Sequence, residues 1–99
     1  MQEFLVTTEL QVPAGQFEPE ERARLYAEER QRGIELHRQG AIERIWRIPG
    51  APYRTVSIRK APDAASLQAD LESLPLFDFL RIEVTALAAH PIEAEAELG

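Results

Sequence analysis

Leu74-Pro75-Leu76-Phe77-Asp78-Phe79-Leu80-Arg81-Ile82-Glu83-Val84-Thr85-Ala86-Leu87-Ala88-Ala89-His90-Pro91 is the stretch on which the fold turns. Its Leu-Pro-Leu-Phe start stops one element. From there Leu80, Ile82, Val84 and Ala86 alternate with Arg81, Glu83 and Thr85, the period of a half-buried strand that Pro91 should end. Working back from this strand, Asp63 is placed to cap a short helix over about 64–73, with Leu67, Leu71 and Leu74 on one stripe. Before it, Ile42 to Ile48 and Tyr53 to Lys60 read as strands joined by the stiff turn Pro49-Gly50-Ala51-Pro52.

The N-terminal part supplies the first strand and the long helix. Glu3 to Val12 has period two and Pro13-Ala14-Gly15 closes it. Pro19, followed by Glu20 and Glu21, suits a first helical turn, and Gly40 suits the left-handed residue past its end. The resulting order is strand, helix, strand, strand, helix, strand. This is the ferredoxin-like βαββαβ pattern of the α+β class: a four-stranded antiparallel sheet with two helices on one face. The other sheet face has no cover of its own, and a second copy of the chain is the simplest one, so a homo-oligomer built from dimers is expected. One domain should span 1–91. The acidic tail 92–99, with Glu93, Glu95 and Glu97, is expected to be frayed or draped on a partner.

Composition narrows the function. A chain of 99 residues buries a small share of its surface alone, which again favours association. A net charge of -6 argues against a nucleic-acid partner. No apolar run can span a bilayer and the N-terminus lacks signal-peptide character, so no membrane partner and a cytoplasmic location are expected. There is no cysteine, and His37 and His90 lie far apart, so no metal site is expected.

Advancing 100° per residue along the first helix puts Leu25, Tyr26, Glu29, Gly33 and Leu36 within one arc of about 100°. Glu29 lies in the middle of that arc, where partial desolvation would make it a base near neutral pH; the alternative is an ion pair with an arginine such as Arg47. Tyr26 shares the arc and is a candidate for substrate binding. Arg47 can hold a carboxylate bidentately, whereas the adjacent Trp46 faces the other way, towards core or interface. Tyr53 and Ser57 share a strand face and can donate to an oxyanion. His90 is either a proton shuttle or an interface residue.

Several segments resemble the muconolactone isomerase family of aromatic degradation. They are Ala27-Glu28-Glu29-Arg30, Gln39-Gly40, Ile45-Trp46-Arg47-Ile48-x-Gly50, Leu74-Pro75-Leu76-Phe77, Ile82-Glu83-Val84 and His90-Pro91. The resemblance implies a cofactor-independent shift of a double bond in a small unsaturated lactone, with no metal and no organic cofactor. It also implies Glu29 as the base, Arg47 as the carboxylate anchor, Tyr53 and Ser57 as oxyanion donors, and assembly up to a decamer. The chain departs from the family pattern in the hairpin, where Ala51-Pro52-Tyr53-Arg54-Thr55-Val56-Ser57 displaces the tyrosine and the serine by one residue. One step along a strand reverses the face of a side chain unless the turn absorbs it. Arg44 and Arg81 stand where the family often has histidine and aspartate. The competing reading is a small-molecule binding or assembly protein that keeps the fold with a remodelled pocket.

Overall fold

The computed structural model describes residues 1–98. The chain runs β1 (Gln2–Leu10), α1 (Pro19–Arg38), β2 (Ile42–Ile48), β3 (Ala51–Ala61), α2 (Ala64–Glu72), β4 (Leu80–Leu87) and α3 (Pro91–Leu98), with a short 3-10 turn at Phe77–Phe79. The four strands form one antiparallel sheet in the order β2-β3-β1-β4. This is the expected ferredoxin-like α+β architecture.

Element ends follow local chemistry. Pro19 opens α1 ahead of Glu20 and Glu21, and Gly40, at φ +82°, ends the turn that leaves it. The Asp63 carboxylate accepts from the Ser66 amide at 2.7 Å and starts α2. That bond holds the exposed Asp63 carboxyl below the usual carboxylate range.

Alternation divides the sheet into two faces. Phe4, Val6 and Thr8 of β1 lie beside Arg59, Ser57 and Thr55 of β3 and beside Ala86, Val84 and Ile82 of β4, facing the helices. There Phe4, Val6, Leu36, Ile42, Ala61, Leu67, Leu71 and Leu74 make the core, with Phe77, Leu80 and Ile82 packed against it. The opposite face carries Leu5, Val56 and Ile58, and beside them Trp46 and Leu87, each 41% exposed. Arg44 lies over the Trp46 ring at 4.7 Å. Ion pairs Arg54–Glu9 and Lys60–Glu43, both at 3.3 Å, flank this stripe.

The C-terminal segment differs from expectation. β4 stops at Leu87, and Pro91 begins a helix instead of merely ending a strand. Proline in the first turn, Glu93 near the positive end of the helix dipole, and Ala94 and Ala96 as strong helix formers explain the change. Every residue of α3 is exposed. The radius of gyration of 15.7 Å exceeds the roughly 13 Å of a compact domain of this size, in keeping with a helix that stands off the body. Among the described residues, no helix is long and apolar enough to cross a membrane.

Leu36 is the fully buried side chain of α1 and its main anchor in the core. Leu36→Ala should lower unfolding stability by about 2–5 kcal/mol, measured by urea denaturation at fixed protein concentration. A loss below 1 kcal/mol would mean that α1 is held chiefly by something else.

Candidate active site

The strands that carry the site are not regular, and their irregularities aim its side chains. β2 pairs Ile42 with Arg59 but Arg44 with Ile58, so one extra residue, Glu43, sits in a bulge. Uninterrupted alternation would put Ile42 and Arg47 on opposite faces. The bulge reverses the phase, so that Ile42, Ile45 and Arg47 all face the helices. A second irregularity follows Arg47, where Ile48 lies opposite Ala51 and leaves 52–54 without partners on β2. Gly50, at φ +80°, makes the turn between them. Tyr53 and Ser57 lie on the same sheet face as Arg47.

Between α1 and this face lies a cavity of about 300 Å³. Its walls are Glu29, Arg30 and Gly33 of α1, Ile42, Ile45 and Arg47 of β2, Pro52, Tyr53, Thr55 and Arg59 of β3, Thr8 and Leu10 of β1, and Leu74 and Leu80. The volume is at the low end for ligand pockets, and a mainly apolar lining with a few convergent polar groups is the usual composition of such sites. Three arginines and one carboxylate line the cavity, although the whole chain carries a net charge of -6. An anionic ligand is favoured there by local charge against the field of the rest of the molecule.

Glu29 is half-buried. The Leu76 amide, in the Leu-Pro-Leu-Phe turn, donates to its Oε1 at 2.8 Å. Burial raises its pKa above the ordinary value, while the Leu76 bond and the charge of Arg59 act in the opposite direction. No ion pair joins Glu29 to Arg47 among the described residues. The neighbouring Glu28 is exposed and pairs with Arg24 at 3.1 Å.

Arg47 and Tyr53 stand at the open end of the cavity, with Tyr53 52% exposed. Between them and the floor, the Thr8 and Thr55 hydroxyls hydrogen-bond at 2.6 Å. Ser57 does not line the cavity. It is fully buried, donates to the Val6 carbonyl at 3.3 Å and accepts from Arg59 Nε at 2.9 Å. Tyr26 is on the expected arc but nearer the start of α1, in a separate depression with Phe17, Pro19 and Arg22, whose guanidinium lies 5.1 Å from its ring centre. His90 is exposed in the link to α3, where its Nδ1 accepts from the Ile92 amide at 3.1 Å. His37 is exposed as well. The structure thus brings Glu29, Arg47 and Tyr53 together and leaves Ser57, Tyr26 and His90 off the cavity wall.

Arg59 joins them without having been singled out in the sequence. It is only 4% exposed, and its Nη1 is buried with no hydrogen-bond partner among the described residues. Burial pushes its pKa down, opposed by Asp70 and Glu29. Strand period alone was the available signal, since residues 53, 55, 57 and 59 share a face. Among the described residues, no cluster of three or more histidines and carboxylates is placed to hold a metal ion.

The sequence profile of the muconolactone delta-isomerase family matches residues 2–93. The Muconolactone Delta-isomerase of Pseudomonas aeruginosa is 35% identical over 80 residues, which cover 81% of this chain and 82% of that one. That of Rhodococcus opacus is 34% identical over 87 residues, 88% of this chain and 91% of its own. A crystal structure of muconolactone isomerase matches with a TM-score of 0.82 and 32% identity, over 90% of this chain and 91% of the other. An antibiotic biosynthesis monooxygenase, at a TM-score of 0.54 and 14% identity, shares the fold alone. A match along nearly the full length, in sequence and in backbone, means that this chain belongs to the muconolactone delta-isomerase family.

Proposed function

We propose that the chain isomerises a small butenolide bearing a carboxylate arm, by a proton shift that needs one base, an anchor for the acid and a partner for the oxyanion. The observation that carries this reading is a half-buried carboxylate with a raised pKa inside an apolar cavity lined by arginines. Glu29 takes the proton from the ring carbon that bears the arm. The C–H electron pair moves into the ring, the double bond shifts, and negative charge collects on the lactone carbonyl oxygen. Glu29 then returns the proton at the carbon alpha to that carbonyl. Its Oε1 is held by the Leu76 amide, which leaves Oε2 to carry the proton. Arg47 at the open end binds the substrate carboxylate, and Tyr53 donates from the same wall.

The same reading extends to assembly and location. The apolar stripe on the uncovered sheet face and the unburied α3 support a homo-oligomer built from dimers, with a decamer as the larger form. A cytoplasmic enzyme acting on a soluble metabolite fits both. Residues 1–91 would form the catalytic domain, with α3 as an accessory segment.

The direct test is ultraviolet observation of 4-carboxymethylbut-2-en-4-olide with purified protein. Conversion is expected; its absence at any enzyme concentration would favour a binding protein. Glu29→Gln should lower kcat by about 10²–10⁴-fold, and retention of wild-type turnover would place the base elsewhere. Arg47→Ala should act mainly on KM, because the carboxylate is present in ground and transition states alike.

Activity should rise with pH as Glu29 ionises, with the midpoint above the ordinary carboxylate value of about 4.3. The stability linkage has the opposite sign. A carboxyl whose folded pKa is raised contributes stability below its unfolded pKa, and that contribution is lost as pH rises through the folded value. Glu29→Gln should therefore gain stability relative to wild type over that interval, and a profile flat in pH for both quantities would refute the assignment. Sedimentation at micromolar concentration should show an oligomer; monomer alone would contradict the proposed assembly.

A further inference from the structure

Arg59 raises a question that the base and the anchor leave unanswered. The residue is 4% exposed, yet none of the ion pairs among the described residues includes it. Asp70 and Glu29 influence it only through space. Its single described hydrogen bond, from Nε to Ser57 Oγ at 2.9 Å, fixes the plane of the group and uses one donor of five. Nη1 is buried without a partner. A buried cation left in this state opposes folding, because burial removes hydration that nothing in the protein replaces. An apolar side chain would fill the position at lower cost.

The place of Arg59 gives the retention a purpose. It lines the cavity that holds Glu29 and Arg47, and it belongs to the row of Phe4 and Ile42, whereas Arg47 belongs to the row of Thr8 and Thr55. Those rows are four residues apart along β3, about 13 Å at the usual strand rise. The two arginines therefore start from backbone positions well apart along the sheet. A ring lying along the cavity with its acid arm on Arg47 would point towards Arg59, and Glu29 lines the same cavity from α1.

Accepting the isomerase reading above, on which this rests, we propose that Arg59 is the oxyanion partner: Nη1 is closed off by the protein, but the N–H donors of Nη2, for which no hydrogen bond is described, receive the lactone carbonyl oxygen and stabilise the charge that collects there when Glu29 removes the ring proton. No bond to Arg59 forms or breaks. The carbonyl oxygen gains the electron pair released from the C–H bond, holds it against the guanidinium, and gives it back when the alpha carbon is reprotonated. Ser57, by accepting from Nε, is a positioning residue for this group. Charge stabilisation by a donor already fixed in a water-poor cavity is stronger than the same contact in water.

The test combines steady-state kinetics, thermal unfolding and calorimetry on wild type, Arg59→Met and Arg59→Lys. Arg59→Met should lower kcat by about 10²–10³-fold with little change in KM, the usual loss for one oxyanion donor. It should also raise Tm, since an unpaired buried charge is replaced by an apolar chain. Arg59→Lys should recover part of kcat. The saturated lactone with the same acid arm, which cannot form the dienolate, should bind Arg59→Met and wild type with similar affinity. Wild-type kcat in Arg59→Met overturns the assignment. So does a fall in kcat that accompanies a fall in Tm and is not rescued by lysine, or an equal loss of affinity for the saturated lactone. In each of those outcomes wild type still turns over substrate and the isomerase reading stands. An inactive wild type would instead reject that reading and this assignment with it.

Discussion

The hydrogen bond from the Leu76 amide to Glu29 Oε1 ties the two halves of the molecule at their point of greatest chemical consequence. The amide lies in the Leu-Pro-Leu-Phe turn, and the turn can present it because Leu74 and Leu76 are both buried there and the following 3-10 turn leads straight into β4. Packing of hydrophobic side chains thus sets the position of one backbone donor. That donor fixes the carboxylate, and the carboxylate faces the cavity. A shift of the turn would change the ionisation of Glu29 as much as its place, since the same bond counters part of the effect of burial.

Electrostatics at the site is a balance of opposed influences. Burial favours the neutral form of Glu29, while the Leu76 amide and Arg59 favour its anion. The proposed role of Glu29 as a base would be served by this intermediate condition: too much stabilisation of the anion weakens a base, and too little leaves it protonated. Arg59 pays the larger share of the conflict, because its own charge is buried with Nη1 unpartnered. Strain of this kind is common where function and folding pull apart.

The sheet and α1 were legible because their patterns are local. Period two in β1 and β4, and the arc through Leu25, Glu29, Gly33 and Leu36, survive into the structure, with end shifts of one or two residues in β1 and α1 and an earlier end to β4. Glu29 was readable from the same arc. Depth was not readable: Ser57 and Tyr53 share a strand face, but only the position along β3 decides that Tyr53 stands at the opening and Ser57 beneath the core. Tyr26 shows the same limit: it lies on the expected face of α1 but too near its start to line this cavity. The bulge at Glu43 has no local signature, since β-bulges depend on the partner strand. Arg59 carries no local sign of burial, because a charge in a strand is ordinarily solvated, and α3 is hidden because Pro91 suits the end of a strand as well as the first turn of a helix.

Gly33 has a different kind of consequence. It sits within α1, where glycine costs roughly 1 kcal/mol relative to alanine, and it lines the cavity. A Cβ built there meets nothing within 4 Å, so the missing methyl leaves open space at the cavity wall. Mutations that change what an enzyme accepts usually weaken its fold. Here the exchange of glycine for alanine would narrow the cavity and strengthen the helix in one step, so the range of accepted ring substituents can contract during evolution without a compensating change elsewhere.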